Sequence, residues 1–226
     1  LFPYTTLFRS KEVMTNDFKY LIFDFDGTLA DTADIQVRAF NQIHARFDLP
    51  KIGKKELMKL HSTSMKEICK EYQIGPIKLL KITEALNQEV SALISQANFY
   101  PGIKKTLLNL KKNFTLGILS SNQLSNIENF FINQNLPLST VFSFWRCEKN
   151  LFGKDKALKS LMQERKIDPA QVLYFGDQVR DVEACQKAGV SVAAVTWGFA
   201  SEELLTSAKP DFLINQPSEI LDLLVN

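Results

Sequence analysis

The stretch YLIFDFDGTLADT, residues 20–32, decides how the whole chain is read. Its first half is an apolar run without clean alternation, the pattern of a strand covered on both faces. Asp24 and Asp26 interrupt it two residues apart, so on an extended strand their carboxylates point the same way. Neighbouring carboxylates repel unless a cation sits between them or they divide acid and base work. Gly27 supplies a position free to turn, and Thr28 a hydroxyl beside it. A strand-ending Asx turn accounts for Asp26-Gly27 but not for a second carboxylate inside an apolar strand.

Further apolar runs follow at FTLGILS (114–120), VLYFGD (172–177), VAAVTW (192–197) and DFLI (211–214). Between them lie helical patterns. In PGIKKTLLNLKK (101–112), Ile103, Leu107 and Leu110 share one face, and LSNIENFFINQN, KALKSLMQERK and VEACQKAG repeat the theme. Strand and helix in alternation predict an α/β fold, a Rossmann-like doubly wound parallel sheet. Residues 33–98 break the alternation with several helices and no strand. They predict a small helical cap domain inserted after the first strand, with the core formed by 14–32 and 99–226. In such sheets ligands bind beyond the carboxyl ends of the strands.

Polar residues cluster at those ends. YFGDQVRD places Asp177 after a strand and Asp181 four residues later, on one face of a starting helix. Asp181 also suits the capping and dipole of that helix. Two carboxylate pairs make a hard, oxygen-rich site of the kind that takes Mg²⁺. In GILSSN, Ser120, Ser121 and Asn122 serve either to cap a helix or to hold an anion. Lys154, in GKDKAL, is a surface lysine or a fixed positive charge facing a phosphate.

In order, DFDGTLADT, GILSSN, GKDKAL and YFGDQVRD resemble the four motifs of the haloacid dehalogenase superfamily, most nearly its phosphoglycolate phosphatase-like branch. The resemblance implies that Asp24 is a nucleophile forming an aspartyl phosphate and Asp26 the acid and base. It implies that Asp24, the Asp26 carbonyl and Asp177 hold Mg²⁺, with Asp181 completing or supporting that shell, and that Ser120 and Lys154 contact the phosphoryl group. Gly27, Thr28, Ser121 and Asn122 join them as substrate-binding candidates. In relatives of this build the segment KLHSTSMKE (59–67) faces the site, which makes His61, Ser62, Ser64 and Lys66 candidates for the leaving group. The implied enzyme is a phosphatase for a small phosphorylated metabolite, phosphoglycolate-like or a sugar phosphate. Asp26 argues against dehalogenation, whose enzymes generally lack it. Alternatives are a mutase of the beta-phosphoglucomutase type, although Gly176-Asp177 departs from the Glu-Asp of those enzymes, or a non-catalytic regulator on the same fold. The chain also departs from the common Lys-Pro pairing, with Asp155 after Lys154 and with Lys149 and Lys156 nearby.

Composition narrows the classes. The chain has 226 residues, 45% of them hydrophobic and 23% charged, with a formal charge of +2. Dispersed lysines give no nucleic-acid footprint, and no apolar run approaches the roughly 20 residues of a membrane helix. Cys69, Cys147 and Cys185 lie far apart, as expected of reduced thiols in a cytoplasmic protein, monomeric or homodimeric. The opening LFPYTTLFRS stands outside every pattern and lacks the marks of a signal or transit peptide. Its ten residues can be encoded by the end of a widely used DNA-sequencing adapter, and Met14 offers a natural start. Residues 1–13 are therefore expected to be a non-native, poorly packed extension without function.

Overall fold

A computed structural model describes residues 6–7, 18–147 and 153–225. The strands are β1 (Thr6–Leu7), β2 (Tyr20–Phe23), β3 (Ala30–Asp31), β4 (Asn98–Phe99), β5 (Thr115–Ser120), β6 (Phe144–Cys147), β7 (Val172–Gly176), β8 (Ser191–Val195) and β9 (Phe212–Ile214). The helices are α1 (Ala33–Ile43), α2 (Lys54–Ser62), α3 (Met65–Glu71), α4 (Pro76–Leu93), α5 (Ile103–Leu110), α6 (Leu124–Asn133), α7 (Lys154–Arg165), α8 (Val179–Ala188), α9 (Glu202–Ser207) and α10 (Glu219–Val225). Expectations placed on residues 1–5, 8–17 and Lys149 lie outside the described residues.

The main sheet runs β1-β9-β8-β7-β2-β5-β6. Strands β2 and β5 to β9 are all parallel, and β1 pairs antiparallel with β9 at one edge, Thr6 opposite Leu213. Side chains alternate between the faces. Leu21, Phe23, Leu173 and Phe175 enter one core with Leu107 of α5, Phe130 and Phe131 of α6, and Leu223 of α10. Ile22, Val172 and Tyr174 enter the other, with Leu158 and Leu161 of α7 and Val182 and Cys185 of α8. This is the doubly wound α/β fold. Phe23 and Phe175 stack at 4.6 Å across neighbouring strands, and each such buried side chain contributes roughly 1.5–3 kcal/mol.

The winding positions the site. From β2 the chain moves outward through β5 to β6, then returns to the other side of β2 at β7. Tyr20 lies opposite both Thr115 and Val172, and Phe23 opposite both Ile118 and Phe175. The carboxyl ends of β2, β5 and β7 are therefore side by side where the order reverses, which is where open α/β sheets bind ligands.

Several elements were not foreseen, among them β1, which pairs with β9 from within the extension expected to be poorly packed, then β6, and β3 with β4. β6 falls within SFWRCEKN, residues 143–150, where no strand was expected. It is an edge strand, buried at Phe144 and half-exposed over Trp145 to Cys147, so no continuous apolar run marks it. β3 and β4 form a two-residue antiparallel ribbon, Ala30 opposite Phe99 and Asp31 opposite Asn98. It joins the two stems of the helical insert. Inside the insert, Ile43, Phe47 and Leu49 pack against Ile82 and Ala85 of α4. Leu57 of α2 shares a cluster with Phe199 of the main body. Among the described residues no helix is long and apolar enough to cross a membrane.

Candidate active site

β2 ends at Phe23, and Asp24 is the first residue beyond it. Its backbone N–H still reaches the Phe175 carbonyl at 2.9 Å, so β7 holds it in place. The chain then turns at once. The Phe25 carbonyl accepts from the N–H groups of Leu29 and Ala30, at 2.9 and 3.0 Å, and Gly27 adopts φ +77°. A Cβ there would lie 2.1 Å from Asp177 Oδ2, so glycine is required both for the turn and for the close approach. Asp24 thus stands at the strand end and Asp26 in the turn, and the charges of Lys154 and Arg180 act on both carboxyls.

Asp24 takes part in a cluster with Asp177 and Asp181, whose ligand oxygens all lie within 4.8 Å of one another. All three residues are buried. Asp24 Oδ1 accepts from the Phe25 N–H at 2.7 Å, and Oδ2 from Lys154 Nζ at 2.7 Å. The same ammonium donates to Asp181 Oδ1 at 2.5 Å. Asp181 Oδ2 accepts the Gln178 N–H at 3.1 Å, so this residue caps α8 as well as facing Lys154. Asp177 accepts from Thr28 Oγ1 at 3.2 Å and from the Phe199 N–H at 2.7 Å.

Negative charge here exceeds what the protein supplies to balance it. Burial raises the Asp24 carboxyl to about 6, with Lys154 opposing and Asp181 adding to the rise. Burial, then Asp181 and Asp24, push Asp177 well above the carboxylate range. Burial also works against the charge of Lys154, but Asp181 and Asp24 together outweigh it and its pKa rises. Three buried carboxylates, two of them sharing one ammonium, fit a small, hard divalent cation, whose charge would settle all of them.

Asp26 is held separately. Its Oδ1 accepts from Thr32 Oγ1 at 2.8 Å and its Oδ2 from Asn122 Nδ2 at 2.9 Å. Burial raises this carboxyl, and the bonds from Asn122 and Thr32 oppose the rise. Asn122 Oδ1 in turn accepts from the Gln123 N–H and from Asn126 Nδ2, both at 2.8 Å. Buried Ser120 accepts the Asn122 N–H at 3.1 Å. Ser121 is half-exposed and makes no side-chain hydrogen bond among the described residues. α6 itself has Gln123 at its N-cap and no side-chain cap bond from that residue, so Asn122 links Asp26 on one side to the start of the helix on the other.

The insert contributes one of its four candidates. His61 stacks on Phe199 at 4.0 Å. Its Nε2 lies 2.9 Å from Gln36 Oε1, and its Nδ1 lies 3.3 Å from Gln178 Oε1. Both nitrogens are thus engaged by protein groups rather than turned to a leaving group. Burial, then Arg180, lowers its pKa to about 4. Ser62 is exposed and bonds back to the Met58 and Lys59 carbonyls. Ser64 caps α3 in partnership with Glu67, and Lys66 is exposed. Ser62 and Ser64 share a cause: short polar side chains at helix ends satisfy local groups first.

Sequence reasoning missed Thr32, Gln36, Asn126, Gln178 and Arg180. Arg180 is half-buried in the first turn of α8, and its charge lowers the carboxyls of both Asp24 and Asp26. It makes no hydrogen bond among the described residues. Its place in QVRD, between two site carboxylates, was a usable signal.

Comparison with known proteins agrees with this geometry. Residues 21–195, spanning all four motifs, match the family model described as haloacid dehalogenase-like hydrolase. A phosphoglycolate phosphatase from Synechococcus elongatus is 33% identical over 202 residues, 89% of this chain and 94% of that protein. The pyrophosphatase PpaX of Anoxybacillus flavithermus is 22% identical, over 90% of this chain and 95% of its own. The crystal structure of a predicted phosphatase from Clostridium acetobutylicum superposes with a TM-score of 0.81 at 20% identity, covering 92% and 98% of the two chains.

Proposed function

The chain belongs to the haloacid dehalogenase-like hydrolases as a phosphoric monoester hydrolase, and we propose that it hydrolyses a small phosphomonoester through an aspartyl-phosphate intermediate with Mg²⁺ as cofactor. One observation carries this reading. A buried carboxylate, Asp24, is fixed by Lys154 among two further carboxylates, while a second carboxylate, Asp26, is held nearby on separate partners. The first arrangement suits a nucleophile and the second an acid and base.

Asp24 attacks phosphorus through one carboxylate oxygen, and the bond to the leaving oxygen breaks. Asp26 gives that oxygen its proton. In the second half Asp26 takes a proton from the water that attacks phosphorus, and Asp24 is released as carboxylate. Lys154, the buried Ser120 hydroxyl and the nearby backbone N–H groups orient the phosphoryl oxygens. Asp24, Asp177, Asp181 and the Asp26 carbonyl would hold Mg²⁺, which supplies positive charge against the phosphoryl oxygens and the nucleophile. The helical insert acts as a cap that keeps bulk water from the carboxylates. The name of the Synechococcus relative supports a compact substrate such as phosphoglycolate, and sugar phosphates belong to the same class.

Phosphate release from p-nitrophenyl phosphate tests this, with Mg²⁺, with EDTA, and with Asp24→Asn. Turnover that needs Mg²⁺ and disappears in the variant is expected. Undiminished turnover by Asp24→Asn would overturn the mechanism.

A further inference from the structure

His61 and Gln36 stand apart from the reacting groups, yet they end a chain that leads to one of them. His61 Nε2 and Gln36 Oε1 are 2.9 Å apart, Gln36 Nε2 donates to Thr32 Oγ1 at 3.2 Å, and Thr32 Oγ1 donates to Asp26 Oδ1 at 2.8 Å. Gln36 and Thr32 are four residues apart at the start of α1, on one face of the helix. His61 comes from α2, and its ring is clamped against Phe199 and Gln178 of the main body.

The chain has a direction. A neutral imidazole carries one N–H, and oxygens face both nitrogens, Gln36 Oε1 at 2.9 Å and Gln178 Oε1 at 3.3 Å; the shorter contact, and the Gln36 amide already donating to Thr32, place it on Nε2. Nδ1 is then unprotonated and lies 3.3 Å from Gln178 Oε1, a contact that holds no hydrogen bond. The N–H of Nε2 fixes which end of the Gln36 amide faces it, so the amide NH₂ faces Thr32. With that NH₂ occupying an acceptor site on the hydroxyl, the single Thr32 proton goes to Asp26. A reversed Gln36 amide would accept this proton instead, and Asp26 Oδ1 would lose its donor.

We propose that Gln36 and His61 are positioning residues for Asp26, setting through Thr32 the orientation of the carboxyl that serves the leaving oxygen, and doing so while α2 is seated on the main body. Neither touches the substrate. This rests on the phosphatase reading. It adds that seating of the insert and readiness of the acid are one structural event, because the ring that seats α2 also orders Gln36.

Two variants separate this from simple packing. Gln36→Glu keeps the length of the side chain but offers only acceptors, so Thr32 turns its proton away from Asp26. His61→Phe keeps a ring on Phe199 and removes the N–H. For each, kcat/KM is measured with an aryl phosphate (p-nitrophenyl phosphate) and an alkyl phosphate (glycerol phosphate), alongside thermal unfolding with and without Mg²⁺. kcat/KM reports the first phosphoryl transfer, in which an alkoxide needs a proton from Asp26 far more than p-nitrophenolate does. General acid catalysis contributes about 10²–10⁴-fold. The expected result is a loss at least ~10-fold larger for the alkyl than for the aryl ester in both variants, with the Mg²⁺ stabilisation retained. Equal losses on the two esters, or none, would overturn the proposal, since a packing role does not discriminate leaving groups. If one variant fails to fold, the other decides alone. No turnover of either ester by the wild-type chain would instead overturn the phosphatase reading and this proposal with it.

Discussion

Asp24 and Asp26, two residues apart in sequence, have no hydrogen-bond partner in common: Lys154 holds the first at 2.7 Å, while Thr32 and Asn122 hold the second at 2.8 and 2.9 Å. Substitutions at the two positions should therefore fail differently. Asp24→Asn should abolish turnover altogether. Asp26→Asn should still transfer phosphorus from p-nitrophenyl phosphate but hydrolyse the aspartyl phosphate some 10²–10⁴-fold more slowly. A stopped-flow burst of p-nitrophenolate, stoichiometric with enzyme and not followed by phosphate, is the expected signature. Absence of a burst together with full loss of activity would place Asp26 in the first step as firmly as Asp24.

Lys154 bridges two buried carboxylates, so its removal leaves them facing each other without a cation. Removing one partner of a buried ion pair typically costs ~3–5 kcal/mol. Lys154→Met should lower Tm markedly in EDTA, and Mg²⁺ should recover more of the loss than it adds to wild type. Differential scanning calorimetry with and without Mg²⁺ measures both; equal Mg²⁺ increments in the two proteins would count against the shared-charge account.

Gly27→Ala introduces a Cβ at φ +77°, 2.1 Å from Asp177 Oδ2. The left-handed conformation alone costs about 1–2 kcal/mol for an L-residue. The collision should also displace Asp177. We expect a Tm several degrees lower and loss of the Mg²⁺-induced stabilisation. A variant with the wild-type Mg²⁺ response would show that Asp177 is not needed there.

Metal binding should depend on pH through Asp24. Its folded-state carboxyl titrates near 6 against an ordinary 3.8, mainly because it is buried. The metal-free fold thus retains a proton that the unfolded chain releases. That contribution to stability is complete below about pH 3.8 and is lost as pH rises through about 6. Mg²⁺ competes for the same oxygens, so its affinity should climb through that range. Calorimetric titration at several pH values would read the midpoint. Arg180→Gln should move it upward, because the Arg180 charge lowers the Asp24 carboxyl.

Much of this was legible before any coordinates. Buried parallel strands announce themselves as apolar runs, and β2, β5, β7, β8 and β9 each follow one. Asp24 and Asp177 stand at strand ends, where a buried carboxylate has few structural duties, and Lys154 and Asp181 stand at helix starts beside them, Asp181 capping α8 as well. β6 was hidden because a half-exposed edge strand carrying Arg146 reads as surface. The separate partners of Asp24 and Asp26 were hidden because Asn122 and Lys154 come from distant parts of the chain. The partners of His61 lie 25 and 117 residues away, and no local pattern records such contacts. Ser64, by contrast, was recoverable: SMKE has the serine and glutamate spacing of a capping box, which assigns that hydroxyl to α3 rather than to a substrate.

The two-residue ribbon of β3 and β4 bears on how the molecule comes apart. Both stems of the insert leave the main body through a single short ladder, Ala30 to Phe99 and Asp31 to Asn98. The insert can therefore melt, or swing as a unit about that ladder, without disturbing a rung of the large sheet. Amide hydrogen exchange should divide accordingly, with α2 and α3 exchanging through openings far smaller than global unfolding and β2, β5 and β7 exchanging only through it. The active site lies on the seam between these two cooperative units, so its access is governed by the less stable one and its rigidity by the more stable.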